Sequence, residues 1–213
     1  MPWSSNATFL VKVGLDGDEC AAIYKPHQGE RPLWDFPDGL YAREVAAYSV
    51  STALGWGVVP ETILRDDLPH GRGSLQRFVD ADFAQHYFTL VEDEAWHDEL
   101  RRMAVFDLLI NNADRKSGHC LVAEGRLWGI DHGLCFHVQP KLRTVIWDFG
   151  GTPIPEDLKA DAARLAGSLP ADLCDLLSAS ELEVLARRSE VVSQIDMFPN
   201  PDPDERPYPW PLV

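Results

Sequence analysis

Asp114 and Asp131 flank a stretch in which two short apolar runs meet at Glu124-Gly125. Runs of strand length around a glycine-marked turn predict a β-hairpin, and its open end would bring the two carboxylates close together. Carboxylates so placed suit a metal-nucleotide site, because Mg2+ takes hard oxygen ligands from one or two acids and from phosphate. Phosphoryl transfer then depends mainly on charge neutralisation and on alignment of an acceptor hydroxyl beside a base. Asp131 follows Leu127, Trp128 and Ile130 and precedes His132-Gly133, so it is expected as the metal ligand where a buried strand opens into a cleft. Asp114 follows a helical run and begins the polar Asp-Arg-Lys-Ser-Gly loop, and it is expected as the acceptor-side base. Lys116, two residues on, is a poor base while charged and is expected to hold a phosphate.

Upstream elements must deliver a cation to the same place. Ala21 to Lys25 reads as a strand whose alternation puts Ala21, Ile23 and Lys25 on one face, so the lysine leaves the strand's end able to reach phosphates. Leu40 to Leu54 carries apolar residues at helical spacing and is closed by Gly55. Glu44 on that helix is the expected ion-pair partner of Lys25. A helix from Glu92 to Ile110, with Trp96, Leu100, Met103, Phe106 and Ile110 on one face, leads into the Asp114 loop.

This order of strand lysine, helix glutamate, Asp-Arg-Lys-x-x-His and Ile-Asp-His-Gly resembles the phosphatidylinositol 3-/4-kinase-like branch of the protein-kinase-like fold, and within it an actinobacterial subgroup. The resemblance covers roughly Ser4 to Gly133. It implies an α+β, two-lobed protein-kinase-like fold, and the order of elements along the chain divides it into a small α+β lobe (1–79), a mainly helical large lobe (80–198) and a proline-rich tail (199–213). It implies ATP with Mg2+, or Mn2+ in its stead, as cofactors. Lys25 would be the phosphate lysine, Glu44 its partner, Asp114 the catalytic-loop aspartate and Asp131 the metal aspartate. Gln76, Phe78 and Val79 would belong to the hinge that meets adenine, and Ser4, Ser5 and Asn6 to the turn over the phosphates.

Departures from the family pattern are informative. Lys116 replaces the first histidine of Asp-Arg-His-x-x-Asn, His119 replaces its asparagine, and His132 replaces the phenylalanine of Asp-Phe-Gly. His119 remains a candidate metal ligand, although imidazole suits Mg2+ less well than an amide oxygen. A glycine-rich loop is missing. A literal Asp-Phe-Gly at Asp148-Phe149-Gly150 stands too far beyond Asp114 for a single hairpin to bridge, and it reads as a decoy. Arg115 is expected to pair with a neighbouring carboxylate.

The formal net charge of −15, from 19 basic and 34 acidic residues, argues against nucleic acid and anionic membrane surfaces as partners. A soluble small molecule or protein hydroxyl is the expected acceptor. Four cysteines without a framework spacing, and no basic-then-apolar start, point to the cytoplasm. Rival readings are a nucleotide-binding pseudokinase or regulator, adenylyl transfer on the same fold, and a zinc site of a hydrolase built from His119, Cys120, His132, Cys135 and His137. Beyond Pro155 leucine spacing predicts helices, one of them capped by Ser178 or Ser180. The tail, rich in proline, cannot form a regular helix and is expected to lie on the body or to hang free.

Overall fold

The computed structural model describes residues 6–15 and 18–213. The small lobe is an antiparallel sheet of β1 (Phe9–Leu15), β2 (Asp18–Pro26), β3 (Thr62–Arg65) and β4 (Gly73–Arg77) in the order β1-β2-β4-β3. Helix α1 (Leu40–Leu54) packs against β3 and β4. On β2, Ala22 and Tyr24 point inward and join Leu75 in a small apolar cluster, so alternation turns Lys25 to the other face. β2 and β4 approach closely where Lys25 faces Ser74. A Cβ at the adjoining Gly73 would lie 2.4 Å from the Lys25 carbonyl oxygen, so that position requires glycine.

α1 begins and ends as chain chemistry dictates. Its C-terminus closes at Gly55 in the left-handed region, φ 74°, where a residue without Cβ is favoured. Its first amides are satisfied from upstream. Glu30 accepts hydrogen bonds from the N–H groups of Gly39, Leu40 and Tyr41, which also places a negative charge on the positive end of the helix.

The large lobe is built around α3 (His97–Ile110), whose Leu100, Met103, Phe106 and Ile110 are fully buried. Glu94–Trp96 forms a 3-10 turn, so the helix expected from Glu92 is regular only from His97. The short α2 (Tyr87–Leu90) precedes it. Strands β5 (Cys120–Ala123) and β6 (Arg126–Gly129) form the expected hairpin, turning through left-handed Glu124 and Gly125. Helices α4 (Glu156–Gly167) and α5 (Ala179–Gln194) pack against each other and against α3. Ser178 caps α5 reciprocally with Glu181. Together these elements make a two-lobed α+β architecture. Among the described residues no helix is long and apolar enough to cross a membrane.

Val58 and Val59 are buried core residues ahead of β3, which starts at Thr62. Segment 199–213 lies on the body: the Pro207 carbonyl accepts from Thr144 N–H at 3.0 Å, the Leu212 carbonyl from Ser117 N–H at 2.8 Å, and Pro209 is buried.

Candidate active site

Lys25 links the two lobes. Its ammonium donates to Glu44 Oε1 at 2.5 Å and to Asp131 Oδ1 at 2.8 Å. Glu44 is 3% exposed, and its second oxygen accepts the backbone N–H of His132 at 2.9 Å. Burial raises the Glu44 carboxyl, with Lys25 pulling the other way. The two acids raise the Lys25 ammonium against the opposing effect of burial, so it stays charged. Lys25 holds Asp131 well below the usual carboxylate range. Asp131 sits at φ 61°, a left-handed conformation uncommon outside glycine, with its side chain half exposed.

Asp114 occupies the neighbouring loop. Its backbone N–H donates to the Asn112 side-chain oxygen at 2.9 Å, an Asx turn, and its carboxylate meets Lys116 at 3.2 Å. Burial pushes its carboxyl up to about 6, opposed chiefly by Lys116, while the charge of Asp131 adds to the rise. A base there is ionised only above that pH. The expected outcome is a rising limb in the rate, centred near pH 6, that moves to higher pH in Lys116→Met. Initial rates measured from acid to neutral pH check it; a flat profile in both proteins would remove Asp114 as the titrating base.

His119 joins the pair of acids. Its Nε2 lies 3.4 Å from Asp131 Oδ2, and its Nδ1 is 2.9 Å from the Asp114 carbonyl oxygen. A carbonyl can only accept, so Nδ1 carries the proton, and the 3.5 Å approach of Lys116 N–H to the same atom is the weaker contact. Burial lowers the imidazole to about 4, leaving Nε2 a lone pair beside a carboxylate. Asp131 and His119 therefore present an oxygen and a nitrogen donor to one point. Asp131 fits Mg2+ completed by phosphate oxygens and water, and the imidazole fits Mn2+ better than Mg2+.

Beneath these groups lies a network that sequence reasoning named only in part. Arg115 is fully buried, as is its partner Asp107 on α3. Its Nε donates to both Asp107 oxygens, at 3.1 and 3.0 Å, and Nη1 to the carbonyls of His119 and Ile130, both at 3.2 Å. Nη2 reaches Asp107 Oδ1 and His132 Nε2, both at 2.8 Å. One guanidinium thus ties the start of the hairpin to its end and sets the separation of His119 and Asp131. The signal for Asp107 was present, an acid in the otherwise apolar run Val105 to Ile110.

Other sequence-named residues lie elsewhere or have their groups engaged. Gln76 donates to Thr62 Oγ1 at 2.9 Å within the sheet, and Phe78 N–H donates to the Ala21 carbonyl at 3.0 Å. Val79 is buried with Ala81, Leu121 and Trp128. One N–H of the Gln76 amide and the backbone N–H of Phe78 are thus engaged within the small lobe. Asn6 Oδ1 accepts from Arg31 N–H at 2.9 Å, and Ser4 and Ser5 lie outside the described residues. Asp148 accepts a hydrogen bond from the Tyr87 hydroxyl, and Phe149 is buried against His97 and Phe198 rather than beside Lys25 and Asp131. Cys120 and Cys135 are fully buried, with thiols pushed up by burial, the first to about 12. Among the described residues the five His and Cys candidates form no cluster of three ligand atoms; the one such group is His27, Glu30 and Asp38, where Glu30 is already engaged by α1. The loop before α1 packs on the segment after Asp131: Lys141 meets Asp35 at 3.0 Å, and Phe36 joins Leu40, Ala113 and Leu134.

Known proteins provide a comparison. The family model described as phosphatidylinositol 3- and 4-kinase matches residues 40–158. Protein Rv2133c of Mycobacterium tuberculosis is similar at 43% identity, over 98% of this chain and 88% of that protein. Phosphatidylinositol 4-kinase gamma 4 of Oryza sativa subsp. japonica is similar at 27% identity over 79% of this chain, which spans 36% of that protein's length. Among solved structures, the Helicobacter pylori proinflammatory kinase CtkA has a TM-score of 0.49 at 14% identity, covering 89% of this chain and 88% of that one. A hydra Fam20 solved with sugar has the same TM-score at 12% identity, covering 89% of this chain and 80% of that one.

Proposed function

The chain belongs to the phosphatidylinositol 3- and 4-kinase family, and from that premise we propose that it binds ATP with a divalent metal and transfers phosphate to a hydroxyl of a soluble small molecule or protein. The observation that carries the reading is the Lys25 ammonium held between Glu44 and Asp131, with Asp114 in the adjoining loop. Lys25 takes the nucleotide phosphates and Glu44 keeps it aimed. Asp131, with His119 beside it, holds the metal. That metal, when bound, neutralises phosphate charge. Asp114 accepts the proton of the acceptor hydroxyl, and Lys116 next to it balances the charge arriving on the transferred group. The net charge of −15 favours an acceptor in solution over an anionic lipid surface.

The test is transfer of label from γ-labelled ATP into a pool of metabolites and proteins, with products identified by mass. Labelled phosphate on an acceptor supports the reading; label retained in pyrophosphate, with adenylate on the acceptor, contradicts it. Lys25→Met removes a charge-assisted contact to phosphate, and ATP affinity is expected to fall roughly 10- to 100-fold by titration. An unchanged affinity would place the nucleotide elsewhere.

A further inference from the structure

The proline-rich segment reaches the catalytic loop. Ser117 lies three residues after Asp114 and two before His119, and it is fully buried. Its backbone N–H donates to the carbonyl of Leu212. Leu212 packs on the main core, and the chain leading to it is anchored at Pro207, whose carbonyl accepts both Thr144 N–H and Trp147 Nε1 at 3.0 and 3.1 Å. Thr144 in turn bridges Arg115, so the segment grips the loop directly at Ser117 and indirectly through Thr144.

The composition suits this task. Pro207, Pro209 and Pro211 carry no N–H, so three residues of this stretch bring no donor needing a partner, while every carbonyl remains an acceptor. Their fixed φ also reduces the entropy lost when the segment is laid down. The result is a stiff ribbon with few donors against a loop amide.

We propose that residues 207–213 act as a positioning strap for the catalytic loop, holding Ser117 and through it the relative placement of Asp114 and His119. The proposal rests on the reading of Asp114 and His119 given above. Its physical consequence is local: releasing the strap loosens the loop without altering the lysine strand. Small displacements of aligned groups cost rate far more than binding.

The experiment compares backbone amide exchange, resolved at Ser117, in the full chain, in a chain stopped after Pro207, and in full-length Leu212→Asp, which removes the apolar anchor. Exchange at Ser117 is expected to accelerate about tenfold or more in both variants while the Phe78 amide on the lysine sheet is unchanged. ATP turnover is expected to fall about tenfold with ATP affinity within about twofold of the parent, and a peptide of residues 207–213 added to the stopped chain restores both protection and rate. Undiminished protection of Ser117 in the stopped chain overturns the proposal. Should the stopped chain lose protection throughout, Leu212→Asp decides: local acceleration supports the strap, and unchanged Ser117 exchange overturns it. Failure of the parent to bind ATP is a separate outcome that strikes the kinase reading, since strap and loop exchange are measured without nucleotide.

Discussion

Asp131→Ala is expected to reduce metal-dependent ATP turnover by on the order of 10³-fold while leaving the protein folded. The carboxylate is half exposed, so its loss opens no cavity in the core, and Lys25 keeps its contact with Glu44. What disappears is the oxygen donor on which the metal reading rests, together with the counter-charge that faces His119. Steady-state rates across a metal titration check the effect, and a melting curve checks the fold. Retention of more than about a tenth of parental turnover at saturating Mg2+ would show that the metal is held by other groups. The left-handed backbone at Asp131 gives a second reason to expect specificity: a strained position persists where its surroundings enforce it.

Arg115→Leu is expected to give the largest loss of stability, about 3–5 kcal/mol, because it leaves the fully buried Asp107 without its cation. In a chain of this size that corresponds to a fall in melting temperature of about 10 °C. Asn112 and Thr144 still reach Asp107, at 2.9 and 3.4 Å, but neither carries charge. The carbonyls of His119 and Ile130 also lose their shared donor, so the hairpin ends are free to separate. Replacing both members of the pair, Asp107→Leu with Arg115→Leu, is expected to recover much of the stability and none of the activity. Chemical denaturation of the single and double variants measures the first, and ATP turnover the second. A single variant within about 0.5 kcal/mol of the parent would mean that Asp107 is neutralised by another route.

The groups that the sequence brought to notice share one property: each lies on, or directly beside, an element whose period is visible locally. Strand alternation put Lys25 opposite the buried Ala22 and Tyr24, helical spacing and Gly55 delimited the helix bearing Glu44, and the Glu124-Gly125 turn disclosed the hairpin between Asp114 and Asp131. In the folded chain Lys25, Glu44 and Asp131 meet, with Asp114 close enough to feel the charge of Asp131. What stayed hidden depends on register and on distant contacts. That Phe78 N–H is spent on Ala21 follows from the pairing of β2 with β4, which local pattern does not specify. The Glu30 carboxylate caps α1 from outside the helix's own period, and the grip of Leu212 on Ser117 joins residues far apart in sequence through backbone groups, which have no side-chain signature. Arg115 was expected to find a nearby acid, yet its five donors and its hold on both ends of the hairpin emerge only from packing.

Titration calorimetry with a non-hydrolysable ATP analogue and Mg2+ tests most directly whether Lys25 and Asp131 line one nucleotide pocket. One binding event per chain is expected, strengthened by the metal, weakened in Lys25→Met and no longer strengthened by the metal in Asp131→Ala. An absence of heat with the parent protein, or binding indifferent to both substitutions, would contradict that expectation.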